Sequence, residues 1–184
     1  MSSKRLWKTS KPKVIKIWYR TVERLLKGAL LSSFYGEKAM FRLMEPSKGE
    51  LSACAGVYLS AYGGEPWKEV YEKGKIEAYL AGFCGQDGRK CLAAEENGEI
   101  MGVALILVVP SIDAPYCRIE DFCVSAEKQR MGYGTLFMKG ILEEAKKEGC
   151  DSVLLGTQRG FPSHRFYLKN GFTEIDSVLL YRPI

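Results

Sequence analysis

Gln129-Arg130-Met131-Gly132-Tyr133-Gly134 sets two glycines one residue apart where a strand gives way to a long amphipathic helix. Glycine costs a helix interior about 0.5–1 kcal/mol relative to alanine, so a pair in the first turn asks for a reason other than helix stability. Close approach of a ligand to the backbone is one. Free amides at a helix start, with the macrodipole behind them, form an anion site, and residues lacking Cβ let a pyrophosphate touch the chain. Two other phosphate cradles are excluded. A dinucleotide fingerprint needs a third glycine where Phe137 stands, and a P-loop needs Gly-Lys-Ser/Thr, which is missing.

The elements that position this turn follow from the hydrophobic pattern. AMFRLME reads as a first strand, SKGELSACAGVYLSAY as a helix, and EPWKEVYEKGKIEAYLAGF as a second helix with Pro66 near its first turn. RKCLAAEENGEIMGVALILVV reads as two strands joined at Asn97-Gly98, the dipeptide favoured by a type I′ hairpin, so this part of the sheet is expected to be antiparallel. YCRIEDFCV is a fourth strand leading into the glycine-bearing helix, which closes on Lys146, Lys147 and Gly149. CDSVLLGT is a buried fifth strand, FPSHRFYLKNG a short helix, and FTEIDSVLLYRP the last strand or strands. One α/β (α+β) domain over residues 38–184 is expected, without repeats or linkers.

Composition bounds the function. The 184 residues, 46% apolar and 11% aromatic, suffice for one sizeable core. No apolar run is long enough to span a bilayer, and the N-terminal segment carries charges throughout, so neither an integral membrane segment nor a secretory leader is expected; the cytoplasm is the default. Six cysteines form no CxxC pair or Cys/His cluster, which reads as reduced thiols and no metal. The net charge of +5 divides into +8 on residues 1–38 and −3 on the rest, so the body is not a nucleic-acid binder. The basic extension, residues 1–37, reads as helical from Val14 to Leu31; it could face an anionic membrane or a partner, cover the domain, form the seam of a homodimer, or mimic a transit peptide.

With the strand FCV before it, the Q-x-x-G-x-G turn resembles motif A of the GNAT superfamily of acetyl-CoA-dependent N-acetyltransferases, whose pattern is Q/R-x-x-G-x-G/A after a strand ending in valine. RFYLKNGF is similar to the family's FY-x-K-x-GF signature, and the resemblance covers residues 38–184. It implies a mixed, mostly antiparallel sheet of about six or seven strands, splayed between the fourth and fifth, with flanking helices. It further implies that amides around Gln129, Arg130, Met131, Gly132, Tyr133, Gly134 and Thr135 bind the pyrophosphate of acetyl-CoA, with charge from Arg130. The backbone of Val124 would bond the pantetheine arm, and the amide of Phe122 would polarise the thioester carbonyl. The chain departs from the family at Phe161 and His164, where asparagine and alanine are common.

Acetyl transfer to an amine needs a neutral amine, a place for the developing oxyanion and a proton for the departing thiolate. Tyr167 matches the family's general acid, and a phenol of pKa about 10 keeps its proton at neutral pH yet can give it up. Glu120 lies four residues before Val124, which by strand alternation puts it on the face of Phe122 and Val124. It resembles the acidic residue that engages the acceptor ammonium in aminoglycoside-type members. Asp121 faces the opposite side unless a bulge exchanges the two. Cys123 also points away, as a packed thiol, and His164 has no hydrolase or zinc motif around it.

The early helices and hairpin loops nominate Tyr62, Glu65, Trp67 and Asp113 for the acceptor pocket, which with Glu120 and Asp121 would make an acidic, aromatic-walled cleft. The expected enzyme acetylates a small cationic amine by direct attack on acetyl-CoA. Alternatives are a protein lysine or N-terminal acetyltransferase, and a non-catalytic acyl-CoA-binding regulator.

Overall fold

The computed structural model describes residues 41–184, and the helix expected at Val14–Leu31 lies outside them. Five strands form one sheet in the order β1-β2-β3-β4-β5: Phe41–Met44, Arg89–Glu96, Glu99–Val109, Tyr116–Val124 and Ser152–Leu155. All neighbours are antiparallel except β4 and β5, which are parallel. The four helices are α1 (Leu51–Tyr62), α2 (Lys73–Phe83), α3 (Tyr133–Lys147) and α4 (Pro162–Lys169). The β2–β3 hairpin turns on Asn97 and Gly98 at φ 54° and 82°, the left-handed pair that a type I′ turn requires.

Both faces of the sheet are covered, which is why β2 and β3 read as near-continuous apolar runs. Leu92, Met101 and Ile106 pack with Phe137, Met138 and Ile141 of α3. On the other face, Cys91, Val103, Leu105 and Cys123 pack with Cys54 of α1 and Leu80 of α2. Gly102 permits the closest of these contacts, since a Cβ there would lie 2.8 Å from the Phe137 ring.

Two expectations need correction. The second helix starts at Lys73, some residues later than the sequence suggests. Lys68 at φ 51° interrupts the helical path, and Glu69 N–H turns back to the Tyr62 carbonyl (3.0 Å). Among the described residues the last strand does not form, and the sheet has five strands where six or seven were expected. A strand exists through its ladder, and residues 173–184 pair with no neighbour. Glu174 instead meets Arg159 (2.9 Å) and His164 (2.7 Å) near the start of α4.

The core carries its own alkaline limit. Burial pushes the Cys54 and Cys117 thiols up from 9.0 to about 11. Their contribution to stability is therefore complete below pH 9 and is lost as pH rises towards 11, because the unfolded chain releases these protons first. Urea titrations at pH 8 and pH 11 should differ by about 2 kcal/mol or more, and Cys117→Ala should narrow the difference. In the same assay at neutral pH, Gly102→Ala should cost about 1–3 kcal/mol, since the Phe137 ring has no free space to retreat into.

Candidate active site

The parallel ladder between β4 and β5 runs only from Tyr116↔Ser152 to Ile119↔Leu155. There β5 ends, while β4 continues to Val124 and borders a gap on the side away from β3. Peptide groups alternate in direction along a strand, the N–H and C=O of one residue sharing an edge. Ser125 donates its N–H to Met101 of β3 (2.8 Å), so Val124 and Phe122 direct theirs into the gap. Their carbonyls are met there by side chains: Gln129 Nε2 donates to Val124 O (3.0 Å) and the Tyr62 hydroxyl to Phe122 O (3.3 Å). The two N–H groups share that edge.

The glycine-bearing turn stands at the same end of β4. Arg130 and Gly132 adopt left-handed φ of 61° and 91°, and Gly132 caps α3. The first helical bond is Leu136 N–H to Gly132 O (3.1 Å); among the described residues, no amide from Arg130 to Thr135 donates to a backbone acceptor. These amides, with the dipole of a fifteen-residue helix behind them, fit a pyrophosphate. The glycines have separate reasons. Gly132 supplies a positive φ, whereas at Gly134 a Cβ would lie 3.2 Å from the Phe166 ring of α4. Only the amide of Tyr133 remains for a ligand, because its hydroxyl turns back to the Glu96 carboxylate (2.8 Å). Met131 and Thr135 are exposed.

Tyr167 is buried on α4 beside Phe122, with ring centroids 6.3 Å apart, and borders a cavity of about 1120 Å³ that also touches Glu120 and Thr157. Burial, with a smaller push from Cys123 and Asp121, raises its phenol to about 12. The proton is thus held throughout the neutral range.

The structure corrects the placing of the two acids on β4. Ile106 pairs with Ile119 and Leu105 with Asp121, which leaves Glu120 as the extra residue of a bulge. Glu120 does not share the face of Phe122 and Val124; its carboxylate accepts from Arg118 Nε. Asp121 faces α1 and α2, where it accepts from the hydroxyls of Tyr58 (3.1 Å) and Tyr79 (2.7 Å). Both phenols are raised by burial first and by Asp121 next.

Tyr62 and Trp67 flank the gap on this side, 5.9 Å apart by ring centroid, and Trp67 meets Phe161 across it at 5.0 Å. Two nominated residues stay outside. Glu65 is exposed and paired with Lys68 (2.5 Å). Asp113 lies in the loop before β4, at the end of that strand opposite Val124. Sequence reasoning missed Tyr58, Tyr79 and Phe161. Tyr58 and Tyr62 lie one turn apart on α1, a visible signal, and Phe161 stood out as an aromatic in place of asparagine; Tyr79 gave none. His164, the single histidine, accepts from Gly160 N–H (3.3 Å) in the first turn of α4. Among the described residues, no group of three or more His, Cys, Asp or Glu could hold a metal, and no helix is long and apolar enough to cross a membrane.

A splayed parallel pair beside an amide-lined helix start is what the sequence motifs anticipated, and the profile of the acetyltransferase (GNAT) family matches residues 39–172. The chain belongs to the GNAT acetyltransferase family. It is accordingly an acetyl-CoA-dependent N-acetyltransferase. Solved structures agree. A protein of Agrobacterium tumefaciens assigned as an acetyltransferase has 26% identity and a TM-score of 0.65, over 77% of this chain and 99% of its own. The aminoglycoside N-acetyltransferase AAC(6′)-Iy in complex with CoA has 16% identity and a TM-score of 0.65, over 80% and 97%. The aminoglycoside 6′-N-acetyltransferase AAC(6′)-Ih of Acinetobacter baumannii has 17% and 0.62, over 78% and 98%. At these last two identities the likeness is one of fold.

For this GNAT chain the turn itself is testable. A side chain at φ 91° costs about 1–3 kcal/mol, and the strain falls on the amides that would grip the pyrophosphate. Gly132→Ala should weaken CoA binding at least about fivefold by calorimetric titration, while Met131→Ala, which alters only an exposed side chain, should leave it within about twofold.

Proposed function

We propose that the protein moves the acetyl group of acetyl-CoA to the primary amine of a small cationic acceptor by direct attack in the β4–β5 gap. The observation that carries the reading is that the open peptide edge of Phe122 and Val124 lies beside both the Tyr167 ring and the free amides of Arg130–Thr135. The turn would hold the pyrophosphate and Arg130 would add charge. Val124 would bond the pantetheine arm, as an added strand would, and the Phe122 N–H would stabilise the oxygen of the carbonyl under attack.

The acceptor arrives as an ammonium of pKa about 9–10, so freeing its lone pair at neutral pH costs roughly 3–4 kcal/mol. Asp121 attracts the cation. Glu120, next to Asp121 and with Arg118 as its counter-charge, passes the released proton to water. The N–C bond then forms as the C–S bond breaks, the nitrogen gives up its second proton to water, Tyr167 protonates the sulfur, and solvent returns a proton to the phenol. The balance is an ammonium and a thioester in, and an amide, a thiol and one proton out.

The closed end of the gap favours a small acceptor. A protein substrate needs an open groove for an extended chain, and the Trp67–Phe161 contact crosses that path. Tyr167→Phe should lower kcat about 10²-fold and leave CoA affinity unchanged, measured by thiol release from acetyl-CoA and by calorimetry. Unchanged turnover would remove Tyr167 from the mechanism.

A further inference from the structure

The wall of the gap on the α1–α2 side is an arc of five rings. Tyr71, Tyr58, Tyr62, Trp67 and Phe161 follow one another at centroid distances of 6.3, 4.5, 5.9 and 5.0 Å. Every neighbouring pair is tilted or edge-on, so the rings turn a corner rather than stack, and Tyr62 ties the arc to the reacting end through Phe122 O. Aromatic surface of this kind accepts flat apolar bodies edge-to-face.

The charge inside the arc is small. Glu120 is paired with Arg118, and Glu65 lies outside the arc, paired with Lys68. Glu69 stands at the rim beside the exposed Tyr71, where solvent screens it. Asp121 differs from all of these. Its two hydrogen-bond donors among the described residues are the neutral phenols of Tyr58 and Tyr79, which orient the carboxylate without cancelling its charge. A carboxylate has about four acceptor positions, so two remain for an ammonium.

Resting on the transferase reading above, we infer that the acceptor is a monocationic amine with a flat apolar body, of the arylalkylamine class, its ammonium on Asp121 and its body along Tyr62, Trp67 and Phe161. The ammonium then lies one residue along β4 from the Phe122 amide that faces the thioester. A polycation is disfavoured, because the nearest other carboxylates are already engaged, Glu120 by Arg118 and Glu69 by the rim residue Tyr71, and its further charges would have to shed water against ring surface. The acceptor reaches the gap from the α1–α2 side, away from the pyrophosphate turn at the start of α3.

The test is thiol release from acetyl-CoA by the full chain, with phenethylamine, tyramine and tryptamine set against spermidine and kanamycin, alongside calorimetric CoA titration. At least one arylalkylamine should exceed both polycations in kcat/KM by tenfold or more. Asp121→Asn should raise KM for that amine at least tenfold while CoA affinity stays within twofold, and Trp67→Ala should lower kcat/KM for it more than for spermidine. Tyr79→Phe, which keeps the carboxylate and removes one donor, should give a smaller rise in KM and guards against a folding defect in the Asn variant. Faster turnover of spermidine or kanamycin, or an unchanged KM in Asp121→Asn, overturns the inference and leaves the transferase reading standing. No release from any amine together with no CoA binding overturns both, and CoA binding without release from any arylalkylamine overturns the inference alone.

Discussion

The early end of β5 is the constraint on which the site depends. Four residues of β5 face nine of β4, so the last residues of β4 leave the ladder with one edge bonded to β3 and the other open. A buried peptide group without a partner costs about 1–3 kcal/mol, so such an edge must be satisfied or used. This fold satisfies half of it. Gln129 and Tyr62 take the carbonyls of Val124 and Phe122 and leave their amides to a ligand. The same hydrogen bonds fasten the glycine-bearing turn and the aromatic wall to the end of β4, so the three parts of the candidate site share one anchor.

The bulge in β4 follows from the same strand. One extra residue keeps Cys117 and Ile119 on the α3 face before it and Phe122 and Val124 on that face after it. It also brings two adjacent acids to one side of the sheet, with different partners. Glu120 is turned to Arg118, while Asp121 is turned to two phenols. A guanidinium cancels a carboxylate's charge and a phenol does not, so one local irregularity leaves a single acid able to attract a cation. Of the acidic, aromatic-walled cleft anticipated from Tyr62, Glu65, Trp67, Asp113 and Glu120, the aromatic pair Tyr62 and Trp67 stands beside the open edge of β4.

Helix α3 combines packing with ligand geometry over two residues. Gly132 allows the left-handed turn that presents the amides, and Gly134 admits Phe166, which stacks on Phe122 with centroids 5.5 Å apart. The α4 helix that carries Tyr167 is thus seated against both the turn and β4. Glycine at these positions lowers helix propensity by a small amount, which the packing of α3 on the sheet offsets.

Much of this was legible in the chain. The Asn97-Gly98 hairpin, the capped amphipathic α3, the Q-x-x-G-x-G turn and the FY of α4 depend on interactions within a few residues, so local pattern determined them. The family and its chemistry followed from two such motifs on consecutive elements. What depends on contacts distant in sequence was decided only by the tertiary structure. Alternation along β4 could not show the bulge, because that is a property of its register against β3. Strand propensity in residues 173–184 did not make a sixth strand, because a strand needs an engaged edge and this segment has none among the described residues. Tyr79 lies 42 residues from the Asp121 it serves. No local signal joins them, and only the packing of α2 over β4 brings the phenol to the acid.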